Sequence, residues 1–412
     1  MKNKYLPEIR FSGFTGDWEH RKLGELADFS KGNGYSKSDL VDKGHPIILY
    51  GRLYTKYETV IESVDTFAIE TEKSVISKGN EVIVPASGET SKDISRASAV
   101  SKPGIILGGD LNIVRPSNEI EPVFLALAIS NGEQQKELSK RAQGKSVVHL
   151  HNSDLKEANL LFPKKEEQTK IGDFFKQLDD MITLHQQELT ILKQTKQGFL
   201  QKMFPKEGES VPEVRFPGFN EEWKQRKLGE MSKSFEYGLN ASATEYDGKN
   251  KYIRITDIDD NTHEFLEDNL TSPNIDLSSA ENYLVKEGDI LFARTGASVG
   301  KSYIYDKKDG KVYYAGFLIR ARIKSGYDPE FIFQNTLTSK YNEFIKITSQ
   351  RSGQPGVNAQ EYANFSIMTP NIEEQALIGN FFRKLDDTIA LHQQELDALK
   401  ETKKAFLQKM FV

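Results

Sequence analysis

The sequence predicts an α+β protein: two globular α+β domains joined by two long helices that form an antiparallel coiled coil, the whole being a pseudo-twofold internal repeat. Three observations carry that prediction. The chain has 412 residues, more than one hydrophobic core usually serves. Two stretches of it are written twice. The longer repeated stretch holds an unbroken heptad seam, whereas the blocks between the repeats mix strand and helix patterns.

In chain order, PEIRFSGFTGDWEHRKLGELADFS at 7–30 returns as PEVRFPGFNEEWKQRKLGEMSKSF at 212–235. EEQTKIGDFFKQLDDMITLHQQELTILKQTKQGFLQKMF at 166–204 returns at 373–411 with 27 of 39 positions identical. The expected organisation is a domain over 1–165, a helix over 166–204, a linker over 205–211, a second domain over 212–372 and a second helix over 373–412. Two near-identical segments alternating with two divergent blocks describe one scaffold that presents two different surfaces.

The seam of the first helix reads Ile171, Phe175, Leu178, Ile182, His185, Leu189, Leu192, Lys196, Phe199 and Met203, in alternating steps of four and three. That of the second reads Ile378, Phe382, Leu385, Ile389, His392, Leu396, Leu399, Lys403, Phe406 and Met410, so all twelve differences between the copies fall elsewhere. Two helices with the same seam are expected to pack on each other. Only about eight residues, at most ~28 Å, separate the first helix from the second PEVRF segment, which favours an antiparallel pair. It also puts PEIRF beside the end of the second helix, as PEVRF sits beside the end of the first. His185 and His392 read as register-setting polar residues. Lys196 and Lys403 read as stems that pack while their ammonium groups reach water. Asp179, Asp180, Asp386 and Asp387 read as solvated charge on the polar faces.

In the blocks, EVIVPA (81–86), GIILGG (104–109), DILFAR (289–294) and VYYAGFLIRARI (312–323) have strand character, and 122–143 and 329–349 have helical spacing. The chain lacks cysteine, which excludes disulfides, thiolate nucleophiles and cysteine-bound zinc. No stretch of 18 apolar residues occurs, so a cytoplasmic location is expected. A net charge of −5 excludes coating of nucleic acid by bulk charge, leaving local patches.

One stretch imitates a nucleotide cradle. Gly296 to Ser302 reads GASVGKS, but Gly296 and Gly300 enclose three residues where a P-loop needs four, and the following SYIYD alternates as a strand where a helix must begin. No nucleophile elbow occurs, and His149 and His151 form the only close pair among seven histidines. The residues argue for binding rather than catalysis, with no catalytic, cofactor or metal site in this chain.

Basic, amide and hydroxyl side chains in glycine-containing loops are the binding candidates, because Arg, Lys, Asn and Gln match base edges and Ser, Thr and Tyr position phosphates. In the first block these are Arg52, Tyr54, Lys56, Ser87, Lys92, Arg96, Lys140, Arg141, Lys145, His149 and His151. In the second they are Arg254, Arg294, Thr295, Ser298, Lys301, Ser302, Arg351, Gln354 and Asn358, with Lys301 expected to meet a phosphate.

The combination of DILFARTGASVGK, the twice-written EEQ…IG.FF..LDD.I..HQQEL helix and WE/WK followed by RKLGE resembles the DNA specificity subunit of type I restriction-modification systems over nearly the whole chain. Block 1 departs from it at 85–96, where PASGETSKDISR replaces the RTGASVGK loop. The resemblance implies two target-recognition domains that each read half of a split double-stranded DNA sequence, with the helix pair fixing the spacer. It implies assembly with two methyltransferase subunits and two restriction subunits, which would carry S-adenosylmethionine, ATP and Mg. Gln186, Gln187 and Glu188, with Gln393, Gln394 and Glu395, are expected docking positions. The alternative is a non-catalytic protein-interaction scaffold with a duplicated domain.

Overall fold

The structure is a computed structural model that describes residues 6–91, 93–144, 147–350 and 353–411. The chain divides into two compact units, Met1–Gln187 with Gln394–Val412, and Glu188–Gln393. The long helices Lys165–Lys202 and Ile372–Met410 each contribute one end to each unit.

Unit 1 is built on a sheet of Ala27–Lys31 (β1), Val60–Ile61 (β2), Glu81–Pro85 (β3), Ser98–Val100 (β4) and Leu111–Pro116 (β5), in the order β1-β5-β3-β4-β2. Every residue of β3 is buried, which is why the sequence there is an apolar run with no alternation. A second five-stranded sheet lies over residues 40–107. Trp18, Leu23, Val82, Phe124, Phe175 and Phe411 share the main core, so the head segment and both helix ends are part of this unit's interior.

Unit 2 repeats the plan. Ser232–Tyr237 (β6), Asp289–Ala293 (β7), Ser302–Ile304 (β8) and Leu318–Ile323 (β9) run in the order β6-β9-β7-β8, matching β1-β5-β3-β4. Trp223, Leu228, Phe292, Phe331 and Phe382 occupy the corresponding core. The helical pattern over 122–143 is interrupted: Asn131 is extended at φ −140° and ψ 167°, and separates helices Pro122–Ser130 and Gly132–Arg141. The pattern over 329–349 also divides, because Thr338 is extended and its hydroxyl accepts from Tyr341 N–H to start a new helix. Capping by a polar side chain won over continuous periodicity in that copy.

The repeated motifs are explained residue by residue. Arg10 donates two hydrogen bonds to Glu167, at 2.8 and 2.6 Å, and Arg215 two to Glu374, at 2.6 and 2.8 Å. Gln168 accepts from the backbone of Glu121, and Gln375 from that of Asp328, so the EEQ motif anchors the helix on its own domain. Gly172 and Gly379 leave room for those capping residues: a Cβ at Gly379 would lie 2.3 Å from Asp328 Oδ1. The head segments dock where the chain-reach argument puts them, with Ile9 N–H on Lys409 O at 3.1 Å and Val214 N–H on Lys202 O at 2.9 Å.

Within each unit the two helices run antiparallel. In unit 1, Phe174 meets Phe406, Asp179 meets Lys403 and His185 meets Glu395, one number rising as the other falls. In unit 2, Glu188 meets His392, Lys196 meets Asp386 and Phe199 meets Phe381. All twenty seam positions are buried or half-buried. Two expectations are corrected here. Lys196 and Lys403 do not end in water, and Asp179 and Asp386 are not merely solvated: each ammonium pairs with the aspartate of the facing helix, with the lysine side chains 16% and 19% exposed.

Unit 2 adds a partly buried polar cluster around the buried Gln334. Gln334 Nε2 donates to Glu330 Oε1 at 2.9 Å and to Asp386 Oδ2 at 3.1 Å. Burial, aided by the carboxylates of Asp386 and Asp328 and opposed by the Gln334 hydrogen bond, pushes Glu330 up to about 7 from 4.5. The folded chain therefore keeps a proton that the unfolded chain releases, and stability falls as pH rises from about 4.5 to about 7. Glu330→Gln is expected to remove that fall and to gain on the order of 2 kcal/mol over the wild type at pH 8. Thermal melts at pH 5 and pH 8 check this; an equal pH dependence in both proteins would contradict it.

Candidate nucleic-acid interface

The imitation P-loop is a hairpin connection. Strands β7 and β8 pair antiparallel, with Phe292 opposite Ser302, and a short 3-10 turn at Gly296–Ser298 joins them. Gly300, at φ +88°, must be glycine, since a Cβ would lie 2.7 Å from Ile345. Gly296 N–H donates to Pro355 O, and Thr295 bridges Gly356, so the loop at 353–358 is zipped to the hairpin. Gln354 and Asn358 are exposed on it, and Asn358 also caps the next helix by accepting from Glu361 N–H at 3.0 Å.

Several candidates are committed elsewhere. Lys301 lies 2.6 Å from Asp260 and donates to Ile258 O at 2.8 Å, with its side chain 10% exposed. It pins the 258–260 segment and is not a cation free to take a phosphate. Ser302 is buried and bonded to Thr336, Ser298 is half-buried at the end of the turn, and Arg254 grips Asp257 with two hydrogen bonds. Arg351 lies outside the described residues.

In unit 1 the structure gathers Tyr54, Ser87, Arg96 and His149. Tyr54 donates to Ser87 O at 2.9 Å, and Ser87, itself buried, bonds His149 Nδ1 at 3.1 Å. Arg96 lies over the ring of Tyr57 and pairs with Asp93. His149 and His151 are exposed beside this group. Arg52 and Lys56 are turned to acids: Arg52 joins Glu58 and Asp65, and Lys56 joins Asp65, whose carboxyl hydrogen bonds from Lys56 and Arg52 hold well below the usual range. Arg141 is bound to Glu137, and Lys140 is exposed on the same helix. Lys92 and Lys145 lie outside the described residues.

Two residues absent from the sequence-based candidates stand at the hairpin. Arg294 lies with its guanidinium 5.0 Å from the ring centre of Tyr237, and Phe317, whose carbonyl accepts from Arg294 N–H, is 57% exposed. Tyr237 ends β6 and Phe317 immediately precedes β9, more than 50 residues from Arg294 on one side and more than 20 on the other, and strand register brings them together.

This architecture defines a class first: a duplicated scaffold whose two units mount different side chains on one repeated sheet edge. The family model for the type I restriction modification DNA specificity domain matches residues 15–194 and again 220–401, and the chain belongs to that family. The chain is 24% identical over 148 residues to the type I restriction enzyme MjaVIII specificity subunit of Methanocaldococcus jannaschii, an alignment that spans 36% of this chain and 33% of the relative. The crystal structure of the type I restriction-modification S subunit from M. genitalium shares the fold, with a TM-score of 0.66, 16% identity and coverage of 99% of both chains. Among the described residues, no helix is long and apolar enough to cross a membrane.

Proposed function

We propose that this chain is the DNA-reading subunit of a type I restriction-modification complex, in which each unit reads one half of a split double-stranded target. The observation that carries the reading is the repeat itself: one sheet and one long helix occur twice, while the residues on the equivalent loops differ. A single continuous target needs no such duplication, whereas two unlike half-sites do. The long helices, 38 and 39 residues or ~57 Å each, are then the spacer. Methyltransferase subunits dock along them, and the exposed apolar side chains Met181 and Leu184 in unit 1 and Leu377 and Leu391 in unit 2 support that docking. The methyl donor, ATP and Mg belong to the methyltransferase and restriction subunits, and the complex works in the cytoplasm.

The test is methylation sequencing of DNA from cells that make this chain with its methyltransferase subunit. A motif of two specified halves around an unspecified gap is the expected result. A continuous motif, or no sequence-dependent methylation, overturns the reading and leaves a protein-interaction scaffold.

A further inference from the structure

Three backbone hydrogen bonds at the sheet edge recur in both units. Ala86 N–H donates to Asp110 O at 2.7 Å, and Arg294 N–H to Phe317 O at 3.0 Å. Leu150 N–H donates to Ala86 O at 3.0 Å, and Val357 N–H to Arg294 O at 2.9 Å. Gly32 N–H donates to Leu111 O at 3.0 Å, and Gly238 N–H to Leu318 O at 3.0 Å. The side chains mounted on that frame are exchanged: Lys31 for Tyr237, Ala86 for Arg294, Asp110 for Phe317, His149 for Gly356 and His151 for Asn358. A requirement of the core would have kept side-chain type along with backbone. Here the backbone is kept and the chemistry varies.

In unit 2 that edge holds an arginine for which no hydrogen-bond or ion-pair partner occurs among the described residues. Every other arginine among the described residues has a carboxylate, carbonyl, amide or hydroxyl oxygen as a hydrogen-bond or ion-pair partner, as in Arg52, Arg141, Arg215, Arg254, Arg322 and Arg383, the weakest being the 3.9 Å ion pair of Arg226 with Glu230. For Arg294 no acceptor occurs among the described residues, and its guanidinium rests on Tyr237. The stack fixes the plane of the group and lowers the entropy lost when its five N–H donors engage.

We infer that Arg294, held by Tyr237 and flanked by Phe317, reads a guanine in the half-site of unit 2. Guanine presents N7 and O6 as two coplanar acceptors in the major groove, the match for a guanidinium edge. A phosphate is the poorer fit. The neighbours of Arg294 are an aromatic ring and an exposed phenylalanine, and the nearest lysine of the hairpin, Lys301, is already paired with Asp260, so among the described residues no second cation is shown at the site. Phe317 offers an apolar face to the ring or methyl group of an adjoining base. The inference rests on the reading that the chain binds split DNA, and unit 1, with Ala86 at the equivalent position, lacks this contact.

Methylation sequencing with the assembled methyltransferase complex tests it, comparing wild type, Arg294→Ala, Arg294→Lys and Phe317→Ala. Arg294→Ala is expected to relax one guanine of one half-site to any base, lowering preference there on the order of tenfold or more, while the other half-site and the gap stay as they were. Arg294→Lys keeps the charge and loses the fork, so the same guanine is expected to relax with less loss of overall methylation. Phe317→Ala is expected to weaken methylation at sites carrying that same half. If both Arg294 variants keep every specified base while the salt dependence of binding drops by about one phosphate contact, the residue meets the backbone and the inference is overturned. A wild-type complex without a split motif would instead remove the DNA reading itself.

Discussion

Arg215→Ala is expected to destabilise unit 2 by about 3–5 kcal/mol, with no DNA or partner present. The arginine's Nε and Nη2 reach both oxygens of Glu374 at 2.6 and 2.8 Å, and the Glu374 side chain is wholly buried. Taking a carboxylate out of water is offset in the native chain by that paired fork; deleting the arginine leaves the charge buried with its main partner gone. The substitution also releases the head segment, because Arg215 stands one residue past Val214, whose N–H closes on Lys202 O. Urea denaturation of the variant checks the magnitude. Arg215→Met combined with Glu374→Leu is expected to recover most of the loss, since an apolar pair of similar volume leaves no charge to compensate. A loss below about 1 kcal/mol for Arg215→Ala would show that the pair behaves as a surface ion pair.

Much of this fold was legible because heptad spacing and repetition are one-dimensional signals. The seam from Ile171 to Met203 and its copy from Ile378 to Met410 are buried as the pattern requires, and the antiparallel direction followed from the reach of the 205–211 segment. The partners of Lys196 and Lys403 were not legible, because which charge faces a seam lysine depends on the register between two distant segments. Asn131 and Thr338 broke helices whose apolar spacing continued through them, a case of local side-chain and backbone geometry deciding against periodicity.

The candidate interface was legible in part. The GASVGKS stretch is a strand-to-strand connection, as the strand period of SYIYD implies. Its lysine was misjudged: loop basicity says nothing of an aspartate 41 residues earlier that takes up the charge. Tyr237 and Phe317 escaped because the two copies differ in length between their repeats, so equivalent positions do not align by a single offset. They became visible only through matching backbone hydrogen bonds.

The central claim, that the helix pair sets the separation of two independently read half-sites, predicts a second large effect. Inserting four residues into both long helices, after Gln187 and after Gln393, lengthens each by ~6 Å. The seam tolerates this as a stutter, since four is one of its own steps, and the same addition in both helices keeps their facing residues in register. At ~3.4 Å per base pair, ~6 Å corresponds to roughly two base pairs of extra gap. No residue of either sheet edge is altered. The decisive measurement is therefore methylation mapping of this variant beside the wild type in the assembled complex. The account expects unchanged half-sites separated by a gap about two base pairs longer, with the original sites no longer methylated. An unchanged gap, with methylation retained at the original sites, would contradict it.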